Sequence, residues 1–141
     1  MTMNKKSSSI NVATFLSALL VSGICFSAQV DKDDISSRCE KVYNTLYGIY
    51  EVQESGSCSD RVLYSSYVMQ GASALVRSER YPDAMKNLKI AEGILGKVYS
   101  KSQECAYFSS KVKPSLDEVQ ILFNELERIS NGLGSVGVSL N

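Results

Sequence analysis

From Ile35 to Ile129, apolar side chains return every three or four residues, and this spacing constrains the chain more than any other feature. Steps of three and four keep side chains on one face of an α-helix, whereas a strand needs alternation by two. No extended window alternates cleanly. Ile35, Cys39, Val42, Tyr43, Leu46, Ile49 and Tyr50 form the first stripe and predict a helix over 33–52. Asp31, Asp33 and Asp34 stand at its start, where they can accept free N–H groups and favour the positive end of the dipole. As a cation site the three acids are the lesser reading, because the glycine and closing glutamate of a calcium loop are missing.

Glu54-Ser-Gly-Ser-Cys-Ser59 reads as a turn. A second helix is predicted over about 60–79, with a stripe of Leu63, Tyr64, Tyr67, Val68, Gly71, Ala72, Leu75 and Val76. Gly71 and Ala72 allow a neighbouring helix to come close. Arg80-Tyr81-Pro82 breaks the pattern, and Pro82 suits the first turn of the next helix, where its missing N–H costs nothing. The third stripe is Ala84, Leu88, Ala91, Leu95, Val98, Tyr99, Ser102 and Cys105. It extends toward Lys111, with weak points at Gly93 and Gly96, and Pro114 ends it. Ser115-x-x-Glu118 has the form of a capping box opening a fourth helix. That helix carries Leu116, Val119, Leu122, Phe123, Leu126 and Ile129, and Asn131-Gly132 reads as its C-cap. The expected fold is all-α: an antiparallel bundle of about four helices, or stacked helical hairpins.

At 141 residues the chain is long enough for one compact domain. Met1–Ala28 reads as a secretory signal peptide. Lys5 and Lys6 supply its positive end, residues 10–26 are uncharged and largely apolar, and Ser27 and Ala28 suit a cleavage zone. The apolar run is short for a membrane anchor and is broken by Ser17, Ser22 and Gly23. Ile24 before Cys25 disfavours lipidation. The expected organisation is a leader over 1–28, a helical domain over 29–131 and a flexible tail over 132–141, exported to the periplasm.

Cys39, Cys58 and Cys105 remain after such a cut, and an oxidising compartment makes one disulfide plausible. With three helices running up, down and up, Cys58 falls at the top of the bundle. Cys105 lies roughly 34 Å up the third helix from Pro82, at 1.5 Å per residue, which is also the top. Cys39 lies near the bottom. Cys58–Cys105 is therefore the favoured bridge, leaving Cys39 over as a possible link in a dimer. The alternative is three reduced cysteines packed as small apolar groups.

Composition excludes several chemistries. Fifteen basic and fifteen acidic side chains give no net charge, so the basic excess that nucleic acid requires is absent. The chain has no histidine, which removes Ser-His-Asp and Cys-His catalysis and His-ligated metal sites. No two cysteines stand at C-x-x-C spacing. Ser110-x-x-Lys113 matches a Ser/Lys nucleophile pattern without its companion signatures. Gly132-x-Gly134-x-x-Gly137 matches a dinucleotide fingerprint, but it follows a helix and leaves no room for another. Glu125 with Glu127, and Asp117 with Glu118, are too close in sequence to share a helix face and read as solvated surface. No catalytic residue, cofactor site or metal site is assigned, and the chain is not read as an enzyme.

Tyr81-x-x-Ala84-x-x-x-Leu88-x-x-Ala91 resembles the second helix of a tetratricopeptide repeat, with Ala72 and Leu75 at the matching places of the first. Only about residues 65–98 are covered, and no second copy follows at a spacing of about 34. An ordinary helical hairpin is the simpler reading. The eight tyrosines either fill a bundle poor in phenylalanine, which is preferred, or offer contact area for a partner.

Three classes of function remain: an inhibitor or immunity protein, an adaptor or chaperone of a secretion or pilus system, and a secreted enzyme. In length, leader, neutral charge and helical, cysteine-bearing build, the chain resembles periplasmic bacteriocin immunity proteins. That resemblance implies binding to a peptidoglycan-degrading toxin of the muramidase type, with no chemistry required; the neutral charge argues against nucleic acid as a partner, and the short apolar run against a stable membrane anchor. Tyr47, Glu51 and Glu54, an edge aromatic with exposed acids beside the first turn, are the candidate contact residues.

Overall fold

The structure is a computed structural model that describes residues 31–53 and 55–135, with side chains as far as Gly132. The leader proposed for 1–28, the contact residue Glu54 and residues 136–141 of the expected tail lie outside the described residues. Four helices follow in order: α1 (Lys32–Val52), α2 (Ser57–Arg77), α3 (Tyr81–Ser100) and α4 (Ala106–Ser135). They form an antiparallel bundle with no strand among the described residues. Each helix packs on the next, and α4 closes back on α1 over a smaller area. α1 and α3 stand at opposite corners.

Local chemistry explains the ends. Asp31 caps α1, its carboxylate accepting from the Asp33 amide at 2.9 Å. Gly56 opens α2 with φ 105°, a value that favours glycine. Ser59 Oγ tightens the same turn by donating to the Gln53 carbonyl at 2.9 Å. Glu79 adopts the left-handed region, φ 58°, after α2. There Arg80 N–H reaches back to the Leu75 carbonyl at 2.9 Å, a Schellman closure usually built on glycine. Pro82 lies in the first turn of α3, as its sequence position predicts.

The stripes of α1 and of the first part of α3 hold. Ile35, Cys39, Val42 and Leu46 are buried, as are Ala84, Leu88, Ala91, Leu95 and Val98. The stripe assigned to α2 does not hold. Of its members only Ala72 and Val76 are buried, while Tyr64 and Tyr67 stand about half exposed. The core face is rotated onto Val62, Met69, Ala72 and Val76, with Ser59, Ser65, Ser66 and Ser73 buried beside them. Ser59, Ser66 and Ser73 return their polarity to the backbone, whereas Ser65 Oγ is buried without a hydrogen-bond partner. Ser66 donates to the Leu63 carbonyl at 2.6 Å. Ser73 donates to the Ser36 carbonyl at 3.0 Å, and the two serine oxygens lie 3.0 Å apart. Arg77 Nε donates to Ser36 Oγ at 2.8 Å from the same side.

The boundary between the last two helices also differs from expectation. α3 runs through Gly93 and Gly96 but stops at Ser100, and a turn over 101–105 precedes α4. Ser109 Oγ donates to the Tyr99 carbonyl at 2.9 Å, satisfying an acceptor that the end of α3 leaves free. Pro114 does not break a helix: it lies inside α4. Its ring and Ser110, whose carbonyl loses a donor, are both exposed, so water can take the freed acceptor. Ser115 is buried inside the helix rather than capping it. Asn131-Gly132 does not end α4 either, since the helix continues to Ser135. Val112, Leu116, Val119, Leu122 and Leu126 form its buried seam.

Cys58 and Cys105 form a disulfide with Cα atoms 5.7 Å apart. The pairing agrees with the sequence reading, although Cys105 sits in the α3–α4 turn rather than on α3. Cys39 is free and fully buried, so it cannot reach a second molecule to link a dimer. Burial pushes its thiol from 9.0 to about 12.

Candidate functional site

The residues chosen from sequence converge in part. Tyr47 and Glu51 are one turn apart near the end of α1, on one face by the i, i+4 rule. The Glu51 carboxylate raises the Tyr47 phenol above its ordinary 10.0, with smaller contributions from burial and from the phenols of Tyr67, Tyr43 and Tyr50. The ring of Tyr47 lies 6.0 Å from that of Tyr43 and 6.1 Å from that of Tyr50, both tilted. Tyr43 and Tyr50 pack against the core, whereas Tyr67 on α2 stands out into solvent. The result is a row of rings along the last turns of α1, beside the turn that leads to Cys58. Such a row offers large, stiff contact area with polar tips and places Glu51 at its edge.

Tyr67 also departs from the sequence reading, which puts it in the core stripe: it stands half exposed. Recognising the serine face of α2 would have turned it outward.

A second constellation was also missed. Arg38 on α1 donates from Nε to Glu118 Oε1 and from Nη1 to Glu125 Oε2, each at 2.6 Å, and reaches Asp34 at 3.4 Å. Glu118 and Glu125 are two turns apart on one face of α4, so neither is free surface. Expectation had placed Glu118 in a capping box and Glu125 in solvent. The guanidinium is held well above its ordinary value, chiefly by the Glu118 hydrogen bond, with Glu125 adding to it against the cost of burial. Both carboxylates are bound to one permanent cation, which makes the cluster a tie between first and last helix.

The remaining motifs dissolve into the helices. Lys113 pairs with Asp117 rather than with Ser110. Gly132 is within α4, and the rest of the glycine fingerprint lies outside the side chains described. Among the described residues no group of three His, Cys, Asp or Glu side chains is placed to hold a metal ion. No helix among them is long and apolar enough to cross a membrane. The chain matches no known family model, no curated protein and no solved structure.

Proposed function

We propose that this chain is a periplasmic immunity protein that binds and inhibits a peptidoglycan-degrading bacteriocin of the muramidase type. The observation that carries the reading is the Tyr43–Tyr47–Tyr50 row with Glu51 at its edge, set at one end of a cross-linked bundle. Aromatic side chains presented on a rigid helix lose little entropy on binding and dominate protein interfaces. The disulfide and the leader-like sequence of residues 1–28 support an oxidising, exported setting. Occlusion of the toxin's cleft or of its path to the cell wall is sufficient for protection, and requires no chemistry from the inhibitor.

Inhibition of a muramidase-type bacteriocin by the purified protein tests this reading, with lysis of isolated peptidoglycan as readout. The native chain is expected to inhibit. Tyr47→Ala and Glu51→Lys are each expected to weaken inhibition by about tenfold or more, with thermal unfolding unchanged. Absence of inhibition by the native chain contradicts the reading and returns the adaptor or chaperone alternative suggested by the α2–α3 hairpin.

A further inference from the structure

Most lysines and arginines among the described residues hold a carboxylate within ion-pair distance, as Arg80 holds Asp83 and Lys89 holds Glu92. Lys41, Arg61, Lys97, Lys111 and Arg128 do not, and of these Arg61 and Lys97 line the same groove. It lies between α2 and α3, holds about 290 Å³, and is lined by Asp60, Arg61, Tyr64, Ile94 and Lys97. Tyr64 is 55% exposed there, and Ile90, one turn before Ile94, is 43% exposed. Glu104, held low mainly by its hydrogen bond from Lys101, feels Arg61 as a charge without bonding to it. Asp60 is in the first turn of α2, where the helix dipole opposes its charge. The lining carries two cations, one acid and the apolar surfaces of Tyr64 and Ile94, an excess of one positive charge; the nearby Glu104 is already bound to Lys101.

We propose that this groove docks an acidic, amphipathic segment of a protein partner. An apolar side chain of the partner lies against Tyr64 and Ile94, and a neighbouring carboxylate sits between Arg61 and Lys97. The apolar surface separates this from a bare anion site, because free phosphate gains nothing from Tyr64 or Ile94. The groove shares no residue with the Tyr43–Tyr47–Tyr50 row.

The test is an NMR titration of the chain purified after export. The probe is a blocked peptide alternating leucine and glutamate, run beside versions with glutamine or lysine in place of glutamate. Saturable amide shifts are expected at Arg61, Tyr64, Ile94 and Lys97 with the glutamate peptide. The glutamine peptide is expected to bind about fivefold or more weakly. An Arg61→Gln/Lys97→Gln variant with an unchanged melting temperature is expected to bind the glutamate peptide about tenfold more weakly. Equal binding by the glutamine or lysine peptide overturns the proposal. So do saturable shifts with inorganic phosphate alone, binding to phosphatidylglycerol vesicles in place of the peptide, or no shift in the groove at all.

Discussion

Arg38 on α1 and Glu125 on α4 are held 2.6 Å apart, Nη1 to Oε2, across the interface that joins the first helix to the last. The same guanidinium takes Glu118 two turns earlier, so one side chain fixes the register of α4 against α1. That interface is less extensive than the contacts between successive helices. Arg38→Met leaves two partly buried carboxylates facing each other and is expected to cost about 1–3 kcal/mol. Arg38→Lys is expected to recover only part of this, since an ammonium cannot present the planar fork. Urea unfolding of both variants measures the difference.

The Cys58–Cys105 bridge spans 47 residues and ties the start of α2 to the turn before α4. Closing a loop of that length removes about 4 kcal/mol of unfolded-state freedom in the chain-entropy model. A small domain has about 5–15 kcal/mol of stability in total. The Cys58→Ser/Cys105→Ser variant is therefore expected to keep its helices but lose stability by up to that amount, read as a lower urea midpoint.

Cys39 predicts an alkaline limb. Its thiol ionises at about 12 in the folded chain against 9.0 as a free group, so above pH 9 the unfolded state loses the proton first. Stability then falls with rising pH by about 1.4 kcal/mol per unit until the folded thiol itself ionises. Below pH 9 the group contributes no slope. Cys39→Ala is expected to cost about 1 kcal/mol at neutral pH through the lost packing and to flatten that limb. The difference between the two unfolding curves against pH isolates the thiol from the tyrosines and lysines.

Gly71 on α2 leaves room for the Asn87 side chain of α3. A Cβ added there would meet Asn87 Nδ2 at 2.9 Å, the group that donates to the Val68 carbonyl at 3.3 Å. Gly71→Ala gains about 1 kcal/mol of helix propensity but displaces that amide. Alone it is expected to be near neutral. In an Asn87→Ala background its benefit is expected to grow by about 1 kcal/mol, a coupling that a double-mutant cycle reads directly.

Much of this was legible in the sequence, and the failures have specific causes. Periodicity located α1, the start of α3 and the seam of α4, because those faces are built from aliphatic residues. It misplaced α2, because a face of Ser59, Ser65, Ser66 and Ser73 scores as polar while packing as small. It misplaced the α3–α4 boundary, because Pro114 looks like a break and the true turn, Lys101-Ser-Gln-Glu-Cys105, contains neither glycine nor proline. The disulfide followed from helix length and direction alone, which survive an error of a turn. Tyr47 beside Glu51 followed from local helix geometry. Arg38 with Glu118 and Glu125 did not, because it depends on how α4 is aligned against α1, and no local pattern encodes that alignment.

The decisive measurement of the proposed immunity is survival of a sensitive bacterium exposed to a muramidase-type bacteriocin, with the chain expressed with and without residues 1–28. Protection is expected only when those residues are present, since immunity as proposed acts in the periplasm. Killing in both cases, with the exported protein confirmed in the periplasm, would contradict it.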